Sequence, residues 1–274
     1  CNDTIENAAR IGRETTWYQI YAANNKSITE DMIRRCKDAG LGALVVTVDV
    51  PIRPKRERNA RNSYSHDLRK LTAERVVDAL LHPRWTYEYL INKGAPSLEN
   101  WAPYAPPGSN SHEILDFFNT QTPAKSQTWQ ELETYRRLWD GPLIVKGILH
   151  PEDAIQAINI GADGIIVSNH GGRQLDRAST SIDAFPAISA AVGDKTTLML
   201  DSGVRRGADI IIGLCLGAAF VFVGRAAVYG VVAGGEEGAA KTINILSQHL
   251  DANLGQMGVT AINQLGPHYL TELK

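Results

Sequence analysis

The sequence is poor in cysteine, with only three in 274 residues: Cys1, Cys36 and Cys215. An odd number, with two of the three in apolar helical patterns, does not build the disulfide framework of a small secreted domain. It predicts reduced thiols and a cytoplasmic location. The chain opens with neither a basic-then-apolar leader nor a methionine, so we expect an N-terminal part to be missing.

A marked excess of charge is also absent, since 28 Lys plus Arg face 30 Asp plus Glu and the net charge is −2. This balance gives no reason to expect a nucleic-acid partner. A long unbroken apolar run is lacking as well. Residues 210–235 contain one charged residue, Arg225, but glycines interrupt them, which favours helix, turn, buried strand and turn over a membrane span. No metal site is predicted.

One local pattern occurs three times: an amphipathic helix, a short glycine-containing step, and an apolar strand that ends in polar residues. The copies are AGLGALVVTVD (39–49), IGADGIIVSNH (160–170) and LGAAFVFVGRA (216–226). Strands that are apolar on both faces and alternate with helices predict a parallel sheet covered by helices. The length fits a single α/β barrel domain over residues 1–274.

Six strands are predicted, whereas eight close such a barrel. The six are Trp17–Tyr21, Leu44–Val48, Leu143–Lys146, Gly164–Ser168, Leu198–Leu200 and Phe220–Val223. Because residues 2–5 resemble a helix start just before the first strand, we expect a TIM (β/α)8 barrel that lacks its first two strands in this chain. Two helix starts are more specific: Ser27 and Glu30 predict a capping box, and Pro151 predicts a first turn after His150.

A long insertion, about residues 52–140, separates the second and third predicted strands. Its first part, residues 53–70, carries seven basic and two acidic residues, a local net charge of +5. A short helical pattern, LTAERVVDALL, and an aromatic run, HPRWTYEYLI, follow. Two interpretations stay open: a solvated basic loop with an aromatic packing patch, or an entrance for an anionic substrate or a contact with a membrane surface.

Every predicted strand ends in polar residues. At the carboxyl ends of barrel strands such residues indicate an active site, because buried strands otherwise exclude charge. A lone histidine is most often structural, but here six strand ends converge. The polar strand ends are Gln19 and Tyr21; Thr47 and Asp49; Lys146; Ser168, Asn169 and His170; Asp201; and Gly224 with Arg225.

The segment VSNHGGRQLD sets His170 beside two glycines and Arg173. A titratable imidazole thus lies next to a guanidinium that can hold a carboxylate through two hydrogen bonds. DSGVRRG and VGRA place glycines before helices, where barrels of this kind bind phosphate, and Arg205 and Arg225 would add charge-assisted hydrogen bonds.

Lys146 ends the strand LIVKGI, where burial without an anionic partner costs several kcal/mol. Two partners are compatible with the sequence: the N1/O2 edge of a flavin, or a barrel carboxylate such as Asp49.

The motifs LIVKGI, SNHGGRQLD, DSGVRRG and VGR, in this order and at strand ends, resemble the FMN-dependent α-hydroxy acid oxidase and dehydrogenase family. Glycolate oxidase, lactate oxidase and mandelate dehydrogenase belong to this family. WYQIY and TVDVPIRPKRER fit its upstream motifs, so the resemblance covers nearly the whole chain. LHPRWTYEYL and the ending LGQMGVTAINQLGPHYL are most similar to the bacterial (S)-mandelate dehydrogenase branch.

The resemblance implies oxidation of an (S)-2-hydroxy acid, mandelate- or lactate-like, to the 2-oxo acid with reduction of bound FMN. It implies that His170 is the active-site base, acting on either the α-proton or the hydroxyl proton, with Asp201 as its partner. Asp49 is matched without a definite role. The implied substrate contacts are Tyr21, Arg56, His170 and Arg173. The implied FMN contacts are Gln19, Thr47, Lys146, Ser168, Asp201, Gly203, Arg205, Gly224 and Arg225.

Several alternatives stay open at this point. The electron acceptor is either a quinone or cytochrome, as in a dehydrogenase, or oxygen, as in a glycolate- or lactate-type oxidase. Two alternatives to an enzyme also stay open. The chain is a catalytically inert truncated barrel, or it is a peripheral module that contacts the inner membrane through its insertion. We also expect a homo-oligomer, specifically a homotetramer.

Overall fold

Six parallel strands form one sheet in chain order. The computed structural model describes residues 3–12, 15–54, 57–61, 72–91, 97–124 and 127–271. The strands are β1 (Trp17–Ile20), β2 (Ala43–Thr47), β3 (Leu143–Ile148), β4 (Gly164–Val167), β5 (Thr197–Leu200) and β6 (Phe220–Val221). The rings of Trp17 and Phe222 meet edge to face, with centroids 5.7 Å apart, so the sheet curls until its first and last strands approach. The predicted partial barrel is confirmed.

Helices alternate with these strands and cover the outside of the sheet. They are α1 (Ile5–Gly12), α2 (Lys26–Asp38), α3 (Glu57–Arg61), α4 (Ala73–Leu81), α5 (Pro83–Ile91), α6 (Ser111–Gln121), α7 (Trp129–Leu138), α8 (Pro151–Asn159), α9 (Ser181–Val192), α10 (Gly207–Cys215) and α11 (Arg225–Gln256). The helices α3 to α7 all come from the predicted insertion. Among them, α7 packs against α2 and buries Leu132 and Tyr135, as a helix of the barrel layer does.

The core has two parts because successive side chains of a strand point to opposite faces. On β2, Leu44 and Val46 belong to the large cluster between sheet and helices. Ala43 and Val45 point the other way, into a smaller cluster inside the barrel that also contains Met199. The sheet is therefore apolar on both faces, which explains the nearly unbroken apolar runs of its strands.

The two specific predictions about helix starts have different outcomes. α8 begins at Pro151 with His150 as its N-cap, as predicted. The capping box predicted for α2 is wrong: the helix begins one residue before Ser27, and the side chain of Asn25 accepts from the Ser27 amide. Asn25 caps the helix because an asparagine carbonyl serves an exposed helical amide as well as a serine hydroxyl does.

Residues 210–235 do not form a membrane-spanning segment. They comprise the end of α10, the strand β6 and the first part of α11. The predicted helix and strand are present, but the strand is not buried, since Phe220 is 54% exposed, and a helix follows it. In the part of the chain that the structure describes, no helix combines the length and the apolar content that crossing a bilayer requires.

The thiols of Cys36 and Cys215 are free and fully buried, whereas Cys1 lies outside the described residues. Burial raises the pKa of the Cys36 thiol to about 12. Since only the thiolate reacts with alkylating reagents, we expect iodoacetamide at pH 8 to modify Cys36 more than roughly a hundredfold more slowly in the folded chain than in urea. Peptide mass spectrometry measures both rates. Comparable rates in the two conditions would contradict this burial.

Candidate active site

Side-chain alternation places the polar strand ends inside the barrel. On β2, Thr47 continues the inward series of Ala43 and Val45, and on β5, Asp201 continues that of Met199. Parallel strands share one carboxyl edge, so these side chains meet at a single end of the barrel. The inward-facing residues at that end are Gln19, Thr47, Lys146, Ser168 and Asp201.

His170 lies between a carboxylate and a phenol. Its Nδ1 is 2.9 Å from Oδ1 of Asp49, and both side chains are more than four-fifths buried. Its Nε2 is 3.4 Å from the hydroxyl oxygen of Tyr21. An ionised carboxylate only accepts hydrogen bonds, so the proton of the neutral imidazole resides on Nδ1. Nε2 is then left as the basic nitrogen.

Lys146 is held by two neighbours at the next strand ends. Its Nζ donates to Oγ of Ser168 at 2.8 Å and lies 3.1 Å from Oδ2 of Asp201. Both members of the ion pair are largely buried. The ammonium charge that the sequence places at a buried strand end is therefore balanced by Asp201, and it remains at the carboxyl edge of the sheet.

The partners of Asp49 and Asp201 differ from those expected from the sequence. Asp201 was the expected partner of His170, but the structure places Asp49 there and pairs Asp201 with Lys146. The reason lies at Gly147, whose φ of +109° accompanies a register shift between β3 and β4. A Cβ at Gly147 would lie 2.6 Å from the Cβ of Asp49. The missing side chain lets Asp49 reach His170.

The backbone at His170 adopts an unusual conformation. His170 has a φ of +57°, in the left-handed region that residues other than glycine rarely occupy. The His170 amide donates to Oγ of Ser168 at 3.0 Å, and Arg225 donates to the carbonyl oxygen of Gly171 at 2.6 Å. These contacts fix the loop after β4 to the end of its own strand and to the start of α11.

The residues predicted to bind phosphate are spread over two helix starts. Arg225 and Gly224 begin α11, and Gly203 follows β5 with a φ of +78°. Arg205 is exposed and lies over the ring of Tyr229, 5.7 Å from its centroid. Arg225 is thus bonded to the loop that contains His170, whereas the Arg205 guanidinium packs on the ring of Tyr229. Arg56 lies outside the described residues.

A cavity of about 540 Å³ opens in front of His170. Tyr21 and Arg173 line it together with His170, as the predicted site requires. Part of its wall is apolar and was not predicted: Leu98 lies in the insertion before α6, and Leu115 and Phe118 belong to α6. The only available signal was the amphipathic pattern of α6, which resembles that of any surface helix.

Comparison with known proteins identifies the family. The chain matches the family described as "FMN-dependent dehydrogenase" over residues 1–272. This chain belongs to the FMN-dependent dehydrogenase family. The expected cofactor is therefore FMN, and the family resemblance inferred from the strand-end motifs is confirmed.

Relatives of this FMN-dependent dehydrogenase are named either L-lactate dehydrogenase or (S)-mandelate dehydrogenase. An L-lactate dehydrogenase of Caulobacter sp. (strain K31) is 35% identical over 95% of this chain and 68% of its own length. One of Acinetobacter baylyi is 33% identical over 98% of this chain and 69% of its own. A crystal structure of "monotopic membrane protein (S)-mandelate dehydrogenase" superimposes with a TM-score of 0.92, at 36% identity over 99% of this chain and 71% of its own. The chain spans about two thirds of these relatives.

The residues at the carboxyl edge suit an isoalloxazine ring. Oγ1 of Thr47 and Oδ2 of Asp49 are buried, and no described residue forms a hydrogen bond with either atom. Buried polar atoms without partners are costly, so such atoms at a strand end indicate a bound polar group. Cβ atoms built at Gly203 and Gly224 would meet nothing within 4 Å, which leaves room beside both helix starts. The site of this FMN-dependent dehydrogenase therefore fits its cofactor.

The close approach of Gly147 to Asp49 can be tested against a matched glycine. Gly108 also has a positive φ, +82°, but a Cβ there would meet nothing within 4 Å. We expect Gly108→Ala to lower the free energy of unfolding by about 1–2 kcal/mol through backbone strain alone. Gly147→Ala adds a clash with Asp49 and should lose roughly 1–3 kcal/mol more. Urea denaturation measures both changes, and equal losses would contradict the tight contact.

Proposed function

We propose that this chain oxidises an (S)-2-hydroxy acid to the 2-oxo acid with reduction of FMN. The observation that supports this most directly is the pairing of His170 Nδ1 with Asp49, which leaves a basic Nε2 beside Tyr21 at the cavity. Oxidation removes two electrons and two protons from the substrate carbinol. FMN, when bound, would accept the two electrons together with one of the protons, and His170 would take the other.

His170 acts as the general base in this proposal. Nε2 takes one proton from the substrate, so the His170 ring becomes an imidazolium ion. The Asp49 carboxylate at Nδ1 stabilises the positive charge of that ring. Because Asp49 and His170 are both largely buried, their attraction is screened less than that of a surface pair. The φ of +57° at His170 aims the ring from the end of β4 into the cavity.

Substrate binding uses the cationic side of the same cavity. Arg173 lines it and presents a guanidinium that can hold the substrate carboxylate through two hydrogen bonds. Arg56 would supply a second cation by family resemblance. The Tyr21 hydroxyl, near Nε2 of His170, is placed to bond the substrate hydroxyl. With the carboxylate and hydroxyl fixed, the α-carbon is oriented toward the base.

The strand ends next to the base would hold FMN. Thr47 and Gln19 would bond the ring, and Lys146 would place its ammonium group near the N1 edge, where negative charge develops. Ser168 and Asp201 hold Lys146 in that place. The phosphate would be held by Gly203 and Arg205, in the turn before α10, and by Gly224 and Arg225, at the start of α11.

The apolar cavity wall favours a substrate with a bulky side chain. Leu98, Leu115 and Phe118 line the same cavity as Arg173. An aryl group buries far more apolar surface against such a wall than a methyl group or hydrogen does. We therefore propose a mandelate-like substrate. We also propose that the enzyme is a dehydrogenase that passes its electrons to a quinone or cytochrome, and that the chain forms a homo-oligomer. The alternative is an oxidase that passes its electrons to oxygen. Another structural neighbour, named mandelate oxidase, supports this alternative.

Anaerobic bleaching of the FMN absorbance tests the proposal. In the FMN-loaded chain, (S)-mandelate should bleach the flavin faster than (S)-lactate, and lactate faster than glycolate. His170→Asn keeps the size and polarity of the side chain but removes the base, so we expect the mandelate rate to fall about a hundredfold to ten-thousandfold.

The control for this variant is FMN affinity, measured by fluorescence titration, which His170→Asn should leave within a few-fold of the parent value. Undiminished bleaching in His170→Asn would refute the role of the base. Faster bleaching by glycolate than by mandelate would refute the proposed substrate class.

We further propose that the insertion makes a peripheral contact with a membrane surface. On α4 and α5 the large apolar side chains that point outward include Leu80, Leu81, Trp85 and Leu90, each more than half exposed. An aromatic and aliphatic helix face of this kind suits the interface of a bilayer. The structural neighbour with a TM-score of 0.92 is itself called a monotopic membrane protein.

Co-sedimentation with vesicles that contain anionic lipid tests this contact. We expect Leu80→Glu with Leu81→Glu to reduce the vesicle-bound fraction about tenfold or more, because two charges must then enter the interface. Ile11→Glu is the matched control, since Ile11 is equally exposed but lies on α1. Equal binding by the parent chain and the double variant would exclude α4 as the contact.

A further inference from the structure

Ser202, in the turn after β5, belongs to no part of the site described so far. Its φ is +79°, in the left-handed region where glycine is the residue without a steric penalty. The chain therefore keeps a serine at a position where its backbone conformation is unfavourable. Such strain persists where the surrounding structure fixes it, and its side-chain contacts indicate why.

The hydroxyl of Ser202 joins the two halves of the site. It donates to Oδ1 of Asp201 at 2.8 Å, and its oxygen accepts the amide N–H of Gly171 at 2.8 Å. The other carboxylate oxygen of Asp201 faces Lys146. Ser202 therefore lies between the Lys146–Asp201 ion pair and the backbone immediately after His170.

The direction of these bonds matters for the loop. Because the hydroxyl proton is committed to a carboxylate, the lone pairs of the oxygen are left to receive Gly171. A hydroxyl polarised by an anion is also a stronger acceptor than a free one. Together with Ser168, which receives the His170 amide at 3.0 Å, Ser202 fixes two successive amides of a loop in the left-handed conformation.

We propose that Ser202 is a positioning residue for the reaction: its hydroxyl holds the backbone of His170 and Gly171 so that Nε2 of His170 faces the substrate. This rests on the proposed function of His170 as the base. Ser202 itself lies outside the cavity lining and does not touch substrate there. It acts through the loop and links the position of the base to the ion pair at the cofactor edge.

Two substitutions separate the hydroxyl from the backbone strain. Ser202→Gly removes the hydroxyl and the strain, whereas Ser202→Ala removes the hydroxyl and keeps the strain. If Ser202 positions the base, the limiting rate of FMN reduction by (S)-mandelate should fall about tenfold or more in both variants. The half-saturating substrate concentration should change less than about threefold, because Arg173 and Tyr21 are untouched. The melting temperature should be higher for the glycine variant than for the alanine variant.

A control variant and a second readout complete the test. Arg177→Gly relieves a similar φ of +59° in the loop after His170, and the Arg177 amide donates to Oδ1 of Asp176 within its own turn. It should leave the rate of FMN reduction unchanged. Amide hydrogen exchange of Gly171, followed by NMR, should accelerate roughly fivefold to tenfold in both Ser202 variants, in line with the loss of one hydrogen bond.

The outcomes distinguish this proposal from the function on which it rests. A limiting rate within twofold of the parent in Ser202→Gly, or unchanged exchange at Gly171, would overturn the role of Ser202. A fall in melting temperature without a fall in rate would assign it a purely structural role and would also overturn the proposal. If no 2-hydroxy acid reduced the FMN of the parent chain, the proposed function would fail. The amide exchange of Gly171 would still report on its hydrogen bond to Ser202.

Discussion

The hydrogen bond between Asp49 and His170 is the interaction on which the site depends. It connects the ends of two strands, β2 and β4, that are separated by β3, and it crosses that strand where Gly147 has no side chain. A carboxylate at Nδ1 fixes the tautomer, and the tautomer decides which nitrogen faces the cavity. A separate ion pair, Lys146 with Asp201, occupies the neighbouring strand ends and keeps its own charges balanced. Two buried cationic or basic groups therefore coexist at one edge because each has its own carboxylate.

Much of this arrangement follows from sequence patterns. The three repeated helix-to-strand units predicted the order and direction of the sheet, because strands apolar on both faces require helices on the outside. Side-chain alternation then carried Thr47, Lys146 and Ser168 to the same face of the barrel as the buried apolar residues before them. Since parallel strands share a carboxyl edge, the convergence of those residues was predictable without any knowledge of distances.

The pairing of the carboxylates was not predictable in the same way. Which of two aspartates reaches His170 depends on a positive φ at Gly147 and on a register shift of one residue, neither of which has a periodic signal. The N-cap at Asn25 and the apolar cavity wall from α6 share this property, because each depends on competition between similar side chains or on tertiary packing. Ser202 stands in a motif that the sequence identified for its glycines, and only its φ and its contacts distinguish the serine.

The most direct test of the central claim is the protonation pattern of the His170 ring, read from the 15N chemical shifts of the imidazole in the neutral form. If Asp49 fixes the base as described, Nδ1 carries the proton and Nε2 has the shift of an unprotonated ring nitrogen. In Asp49→Asn that preference should weaken or reverse. A ring protonated at Nε2 in the parent chain would contradict the account, because the nitrogen that faces the cavity could then not accept a proton from the substrate.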